Sequence, residues 1–221
     1  TKVLPYNAWA CLEFHLVLHD TNGVLQTKLD GVADIDFTGD TLHTANANVA
    51  KLTLCDDALG VGAKADFDDI AINDTSGSVN NSWIGRGGIY GLKPNAAGQY
   101  TQFTPSAGDN YAAVDEVPPD DDTTYVESDT VGHKDTYALG DLVPVSGDIQ
   151  AVQWIARAKL AEAGEGNFQR LIRHDGVDYN SGDLTAGTSY KYFTEIIEKA
   201  PDDTDWTIAK VNALEAGMEV S

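Results

Sequence analysis

The run Asp115-Glu116-Val117-Pro118-Pro119-Asp120-Asp121-Asp122 places five carboxylates within eight residues. Hard cations such as Ca²⁺ take several carboxylate and carbonyl oxygens from a bent loop, and the two prolines pre-shape the backbone. Asp115, Glu116, Asp120, Asp121 and Asp122 are therefore the candidate metal ligands, with calcium as the ion. The spacing and obligatory glycine of an EF-hand loop are missing, and a solvated acidic loop would use the same residues. No other cofactor is called for.

Acid–base work in glycan hydrolysis needs two carboxylates flanking one bond. Asp66, Asp68 and Asp69 border one expected strand and Asp56-Asp57 end another. Glu195-Ile196-Ile197-Glu198 puts its carboxylates on opposite strand faces, and Glu162-Ala163-Gly164-Glu165 is turn-like. The Glu-x-Asp-x-(x)-Glu pattern of laminarinase-type glycanases does not occur, so no catalytic residue is assigned. His15 and His19 stand about 13 Å apart along an extended chain, too far for one ion. His43, His133 and His174 are scattered. No Gly-x-Ser-x-Gly marks a nucleophile. Ile84-Gly85-Arg86-Gly87-Gly88-Ile89 is glycine-rich, but no helix follows to receive a phosphate, so a bulged strand is expected.

Aromatic residues form the second candidate set. Trp83, Tyr90, Tyr100 and Tyr111 fall in a stretch too aromatic for a free linker. They suit anchoring in a neighbouring protein or stacking on a sugar ring.

Composition narrows the partners. Asp and Glu total 35 against 14 Lys and Arg, a formal charge of −21. Such a surface repels phosphate backbones and anionic membranes, which argues against direct nucleic-acid or membrane binding. No apolar run has the length of a membrane-spanning helix. Two cysteines, Cys11 and Cys55, make no disulfide framework, though neighbouring strands would let them pair. Thr1 in place of an initiator Met suggests processing or a longer polypeptide.

The elements that must position these groups are strands. Leu12, Phe14, Leu16 and Leu18 alternate with Glu13, His15 and His19, the period of a strand with one buried face. Asn22-Gly23 and Asp30-Gly31 carry type I′ hairpin chemistry, and Ala33, Ile35 and Phe37 alternate after them. Further strands are expected at 51–54, 69–73, 149–160, 168–174, 189–195 and 214–220, with a turn at Asp175-Gly176. Helix signals are thin. The stretch from Lys93 to Asp141, rich in Pro, Gly, Asp and Thr, is expected to be extended and to lie over a sheet or a neighbouring subunit. Many short strands between turn clusters predict an all-β antiparallel sandwich.

Two parts of the chain carry a resemblance. Trp9 through Phe37, with Asn22-Gly23 and Leu29-Asp30-Gly31, then Phe67-Asp68-Asp69-Ile70-Ala71-Ile72-Asn73-Asp74, resembles part of a laminin-G or concanavalin A-like jelly roll. Asn80-Asn81-Ser82-Trp83-Ile84-Gly85, residues 114–125, Lys134-Asp135-Thr136-Tyr137 and the tail 211–220 resemble structural proteins of tailed bacteriophages. This implies residues 1–75 as a jelly-roll portion lacking some strands, 76–148 as a connecting region and 149–221 as a C-terminal β region, with 76–221 as one domain. It further implies a non-enzymatic virion component, as capsid decoration, tail fibre or spike. Its partners would be other virion proteins and copies of itself, a trimer being one arrangement. A lectin-like module for a host-surface glycan is the alternative, and a glycan hydrolase the weakest.

Overall fold

The computed structural model describes residues 3–42, 48–49, 51–54, 65–143, 147–162 and 166–221. The chain divides into two compact units, Thr1–Ile89 and Tyr90–Ser221. The division falls at 89/90 rather than 75/76, so Trp83 and the glycine-rich segment belong to the first unit. Every strand pair is antiparallel. The protein is all-β, with one six-residue α-helix and a short 3-10 turn among the described residues.

The first unit holds a meander of β1 (Leu12–Val17), β2 (Gly23–Leu29) and β3 (Val32–Gly39), in the order β1-β2-β3. Leu29 pairs with Val32 across a two-residue turn in which Asp30 and Gly31 have φ of 50° and 74°. This is the type I′ geometry expected. Asn22-Gly23 behaves otherwise. Neither residue has positive φ; Val17 pairs with Val24, and Gly23 already lies in β2. The longer loop is held by the His19 ring, whose Nδ1 accepts the Thr21 and Asn22 backbone N–H groups, both at 3.0 Å. Gly23 is needed for space, because a Cβ there would lie 1.9 Å from Thr41 Oγ1. The strands expected at 51–54 and 69–73, and the bulged strand at 84–89, are irregular chain in the structure. Their alternation is real, but among the described residues no strand pairs with them to complete a ladder. Cys55, Asp56, Asp57, His43 and Glu165 lie outside the described residues.

The second unit is a two-layer sandwich. Its larger sheet runs β10 (Val177–Asn180), β9 (Gly166–His174), β13 (Glu215–Val220), β7 (Lys134–Leu139), β4 (Pro94–Thr101), with β11 (Leu184–Ala186) also on β9. The second layer is β12 (Lys191–Ile197) paired with β8 (Val152–Ala158). A small ladder joins β5 (Thr104–Pro105) to β6 (Val126–Glu127). The stretch from 93 to 141 therefore does not lie over a sheet; it contributes β4 and β7 to one. Asp175-Gly176 makes the second type I′ turn, with φ of 51° and 77°.

Period-2 geometry sorts the core. Phe168 on β9 and Ala186 on β11 meet Trp154 and Phe193 from the opposite layer, with the two Phe rings edge to face at 4.8 Å. Trp206, Val211 and Leu214 build a second cluster around α1 (Ile208–Ala213), which Thr207 caps by accepting the Lys210 N–H. All buried apolar residues described in the chain belong to this unit.

Candidate functional site

The register of the first unit fixes which side chains share a face. Directly paired residues point the same way, giving three rows: Leu12–Leu29–Val32, Phe14–Thr27–Ile35 and Leu16–Leu25–Phe37. A bulge at Asp34 keeps Val32 in phase with the other two strands. This is the face that the sequence pattern assigned to a core. In the structure it is open: Leu12 is 55%, Phe14 51% and Val32 56% exposed, and Leu16 and Phe37 are also exposed. No side chain in the nine-residue grid is ionisable. Its single polar group, the Thr27 hydroxyl, accepts the Ile35 N–H at 3.1 Å.

The opposite, polar face of the same sheet is the covered one. Lys28 Nζ sits 4.0 Å from the centroid of the Trp83 ring, and His15 meets that ring edge-on at 6.0 Å. Glu13 accepts the Gly85 N–H at 2.8 Å. The sheet thus holds the 83–85 segment on its polar side and leaves its apolar side bare.

The candidate calcium ligands do not converge. Asp121 takes a two-pronged hydrogen bond from Arg157, including Nη2 to Oδ2 at 2.8 Å, and the guanidinium holds the Asp121 carboxyl below its ordinary range. Asp122 accepts from Lys159 Nζ at 2.6 Å and Tyr190 Oη at 3.0 Å, which lowers it too. Arg157 lies over the rings of Tyr190 and Tyr192, at 5.2 and 4.9 Å. Asp120 and Glu116 both accept from the Thr124 hydroxyl, while Asp115 lines an open recess with Lys93 and Asp141. Among the described residues no group of three or more His, Cys, Asp or Glu side chains is arranged to hold a metal. Cations of the chain itself stand where a calcium ion would have to sit beside Asp121 and Asp122. The partners Arg157 and Lys159 lie 36 and 37 residues downstream, too far for any local sequence signal.

The four aromatic candidates are divided between the two units. Trp83 belongs to the first unit and Tyr100 and Tyr111 to the second. Tyr100 lies under Lys134 and Arg173, and its hydroxyl donates to Asp178 at 2.9 Å. Tyr111 sits half-buried in the 3-10 turn, and Tyr90 is 55% exposed.

Two polar networks in the second unit were not visible in the sequence. Asp178 on β10 accepts from Lys134 Nζ at 2.9 Å and Arg173 Nη1 at 2.6 Å. Lys134 lies on β7, three places away in the sheet, so this ion pair links strands that are not neighbours. Burial alone would raise the Asp178 carboxyl, but its three donors outweigh that and hold it low. On the inner face Asp135, fully buried, accepts from Tyr137 Oη at 2.6 Å and Asn110 Nδ2 at 2.8 Å. Burial pushes the Asp135 carboxyl up, and pushes the Tyr137 hydroxyl up as well. Nearby, Arg170 spans the two layers to Glu195, with contacts of 2.7 and 3.2 Å. These are satisfied structural networks, with the single exception of Asp135 Oδ1.

His133 meets the Ser128 hydroxyl at 3.0 Å, and His174 is buried beside Asp175. Comparison with protein-family models, curated proteins and solved structures finds no match to this chain.

Proposed function

We propose that this chain is a non-enzymatic structural component of a tailed-phage virion, a capsid decoration, tail fibre or spike, that works through protein–protein interfaces. The observation that carries this reading is the nine-residue uncharged grid of β1–β3, open on a chain of net charge −21. Soluble proteins seldom leave a contiguous apolar face bare unless something docks there. The virion assignment within this reading comes from the resemblance in residues 80–85, 114–125, 134–137 and 211–220.

The dispersal of the candidate site residues supports a structural role. The acidic run is tied to Arg157 and Lys159, and the Tyr100 ring to Lys134 and Arg173. Each such tie stiffens the sandwich rather than presenting reactive groups to a substrate. Immunogold labelling of purified phage particles with antibody to this chain is the test. Regular labelling at one place on the particle is expected; particles free of the chain overturn the proposal.

A further inference from the structure

We propose that Asp135 is a proton-operated latch on the segment from Phe103 to Ala113, closed while the acid is neutral and loosened when it ionises. The inference stands apart from the functional reading above and concerns how the second unit responds to pH.

Position and burial carry it. Asp135 lies on β7, facing the interior, with no exposed surface. Its partner on β13 is Met218, and beyond Met218 stands Arg170 of β9, whose guanidinium is turned to Glu195. Burial, Tyr137, Asn110 and the backbone at Phe103 and Gln102 act on the Asp135 carboxyl, and none of them brings a charge.

The carboxyl is held on one side only. Oδ2 accepts from Tyr137 Oη at 2.6 Å and from Asn110 Nδ2 at 2.8 Å. Oδ1 is buried and finds no hydrogen-bond partner among the described residues. A buried carboxylate needs a counter-charge or donors at both oxygens, whereas a neutral acid loses far less by leaving one oxygen bare. Burial accordingly outweighs the donors and raises the Asp135 carboxyl. Asp121 and Asp178, each paired with cations, are lowered instead.

The same contacts show what the proton holds. Asn110 Nδ2 also donates to the Phe103 carbonyl at 2.8 Å, so one amide ties Phe103, the 3-10 turn and β7 together. Phe103 and Ala113 are buried at the two ends of the segment. A charge at Asp135 is relieved by admitting water, and this segment is the cover that can move aside. On the remaining sides β13 and β4 are laddered to β7. The other ionisable groups facing Asp135 do not compete for the role. Tyr137 is pushed up by burial and stays protonated, and Arg170 is already paired with Glu195. β4 and the 3-10 turn carry no charged side chain, and Glu215 and Glu219 of β13 alternate to the opposite face. The folded value lies above the ordinary 3.8, so closure is complete below pH 3.8 and weakens as pH rises through the raised value.

Carbon NMR of the full chain labelled at its aspartate carboxyls, together with amide exchange across 103–113, tests this. One resonance, missing in Asp135→Asn, is expected to keep its proton above the pH at which the other aspartates have ionised. Exchange of the segment in wild type, divided by that in Asp135→Asn at the same pH, is expected to rise with pH and then level off. The size of the rise is fixed by the resonance, at about tenfold for each unit by which its midpoint is raised. Tyr137→Phe removes a donor to the carboxylate and should carry both the resonance and the opening to higher pH. That variant serves alone should Asp135→Asn fail to fold. An Asp135 resonance that ionises with the rest, or an exchange ratio flat across the pH range, overturns the latch. So does a segment that opens at the same pH with and without the Tyr137 hydroxyl.

Discussion

Tyr190 shows how single side chains were recruited to hold the acidic run. Its hydroxyl donates to Asp122 while its ring lies beneath Lys159 and Arg157. Burial and then the Asp122 carboxylate push the phenol up to about 12. The folded value exceeds the ordinary 10.0, so the contribution to stability is fully present below pH 10 and is lost as pH rises through about 12. Ultraviolet titration of the native protein should show a tyrosine ionising near 12 that moves down in Asp122→Asn. A Tyr190 transition at the same pH in both proteins would contradict the assigned hydrogen bond. The carboxylates themselves were plain in the sequence as a cluster. Their chemistry was not, because Arg157 on β8, Lys159 just after it and Tyr190 just before β12 are distant in sequence and reach Asp121 and Asp122 only once the sandwich has formed.

Elements were legible where alternation was clean. The meander strands, β8 and β13 follow their apolar period, and both Asp-Gly turns form as their chemistry requires. β9 and β12 form near their expected positions, but β9 buries the adjacent Leu171 and Ile172, and β12 buries Phe193 while Tyr192 and Ile196 stay exposed. β4 and β7 escaped for opposite reasons. Pro94-Asn95-Ala96-Ala97-Gly98 has little strand propensity, whereas Lys134–Leu139 buries Asp135 and Thr136, so its polarity hides its burial. Alternation also states which residues share a face, not whether that face is covered; hence the grid was found and its burial misassigned. α1 lacked an apolar period because it is only six residues long, although Thr207 is a good N-cap. The β13–β7 contact supplies a sharper test of the sheet. A Cβ on Gly217 would fall 1.8 Å from the Asp135 carbonyl oxygen, an overlap with backbone that cannot rotate away. Gly217→Ala should therefore destabilise the second unit by about 2–3 kcal/mol or more in urea unfolding. A loss within about 0.5 kcal/mol would mean that β13 and β7 are not so closely paired.

At the scale of the whole molecule the apolar material is unevenly shared. One unit has two buried clusters and an Arg170–Glu195 pair across its layers, while the other has a sheet with its apolar side in water. Unequal cores give unequal stabilities. The tryptophans divide in the same way: Trp154 and Trp206 are buried at 6% and 3% exposure, whereas Trp9 is 64% exposed and Trp83 half-buried. Indole emission shifts to shorter wavelength in a dry surrounding, so each unit has its own colour of intrinsic fluorescence. A denaturant titration read at the blue and red edges of the spectrum should give two midpoints, the red-edge signal moving first. Superimposable curves at both edges would show that the units unfold as one. The uneven placing of four indoles thus makes the protein its own two-channel reporter, one colour for each unit, without any attached dye.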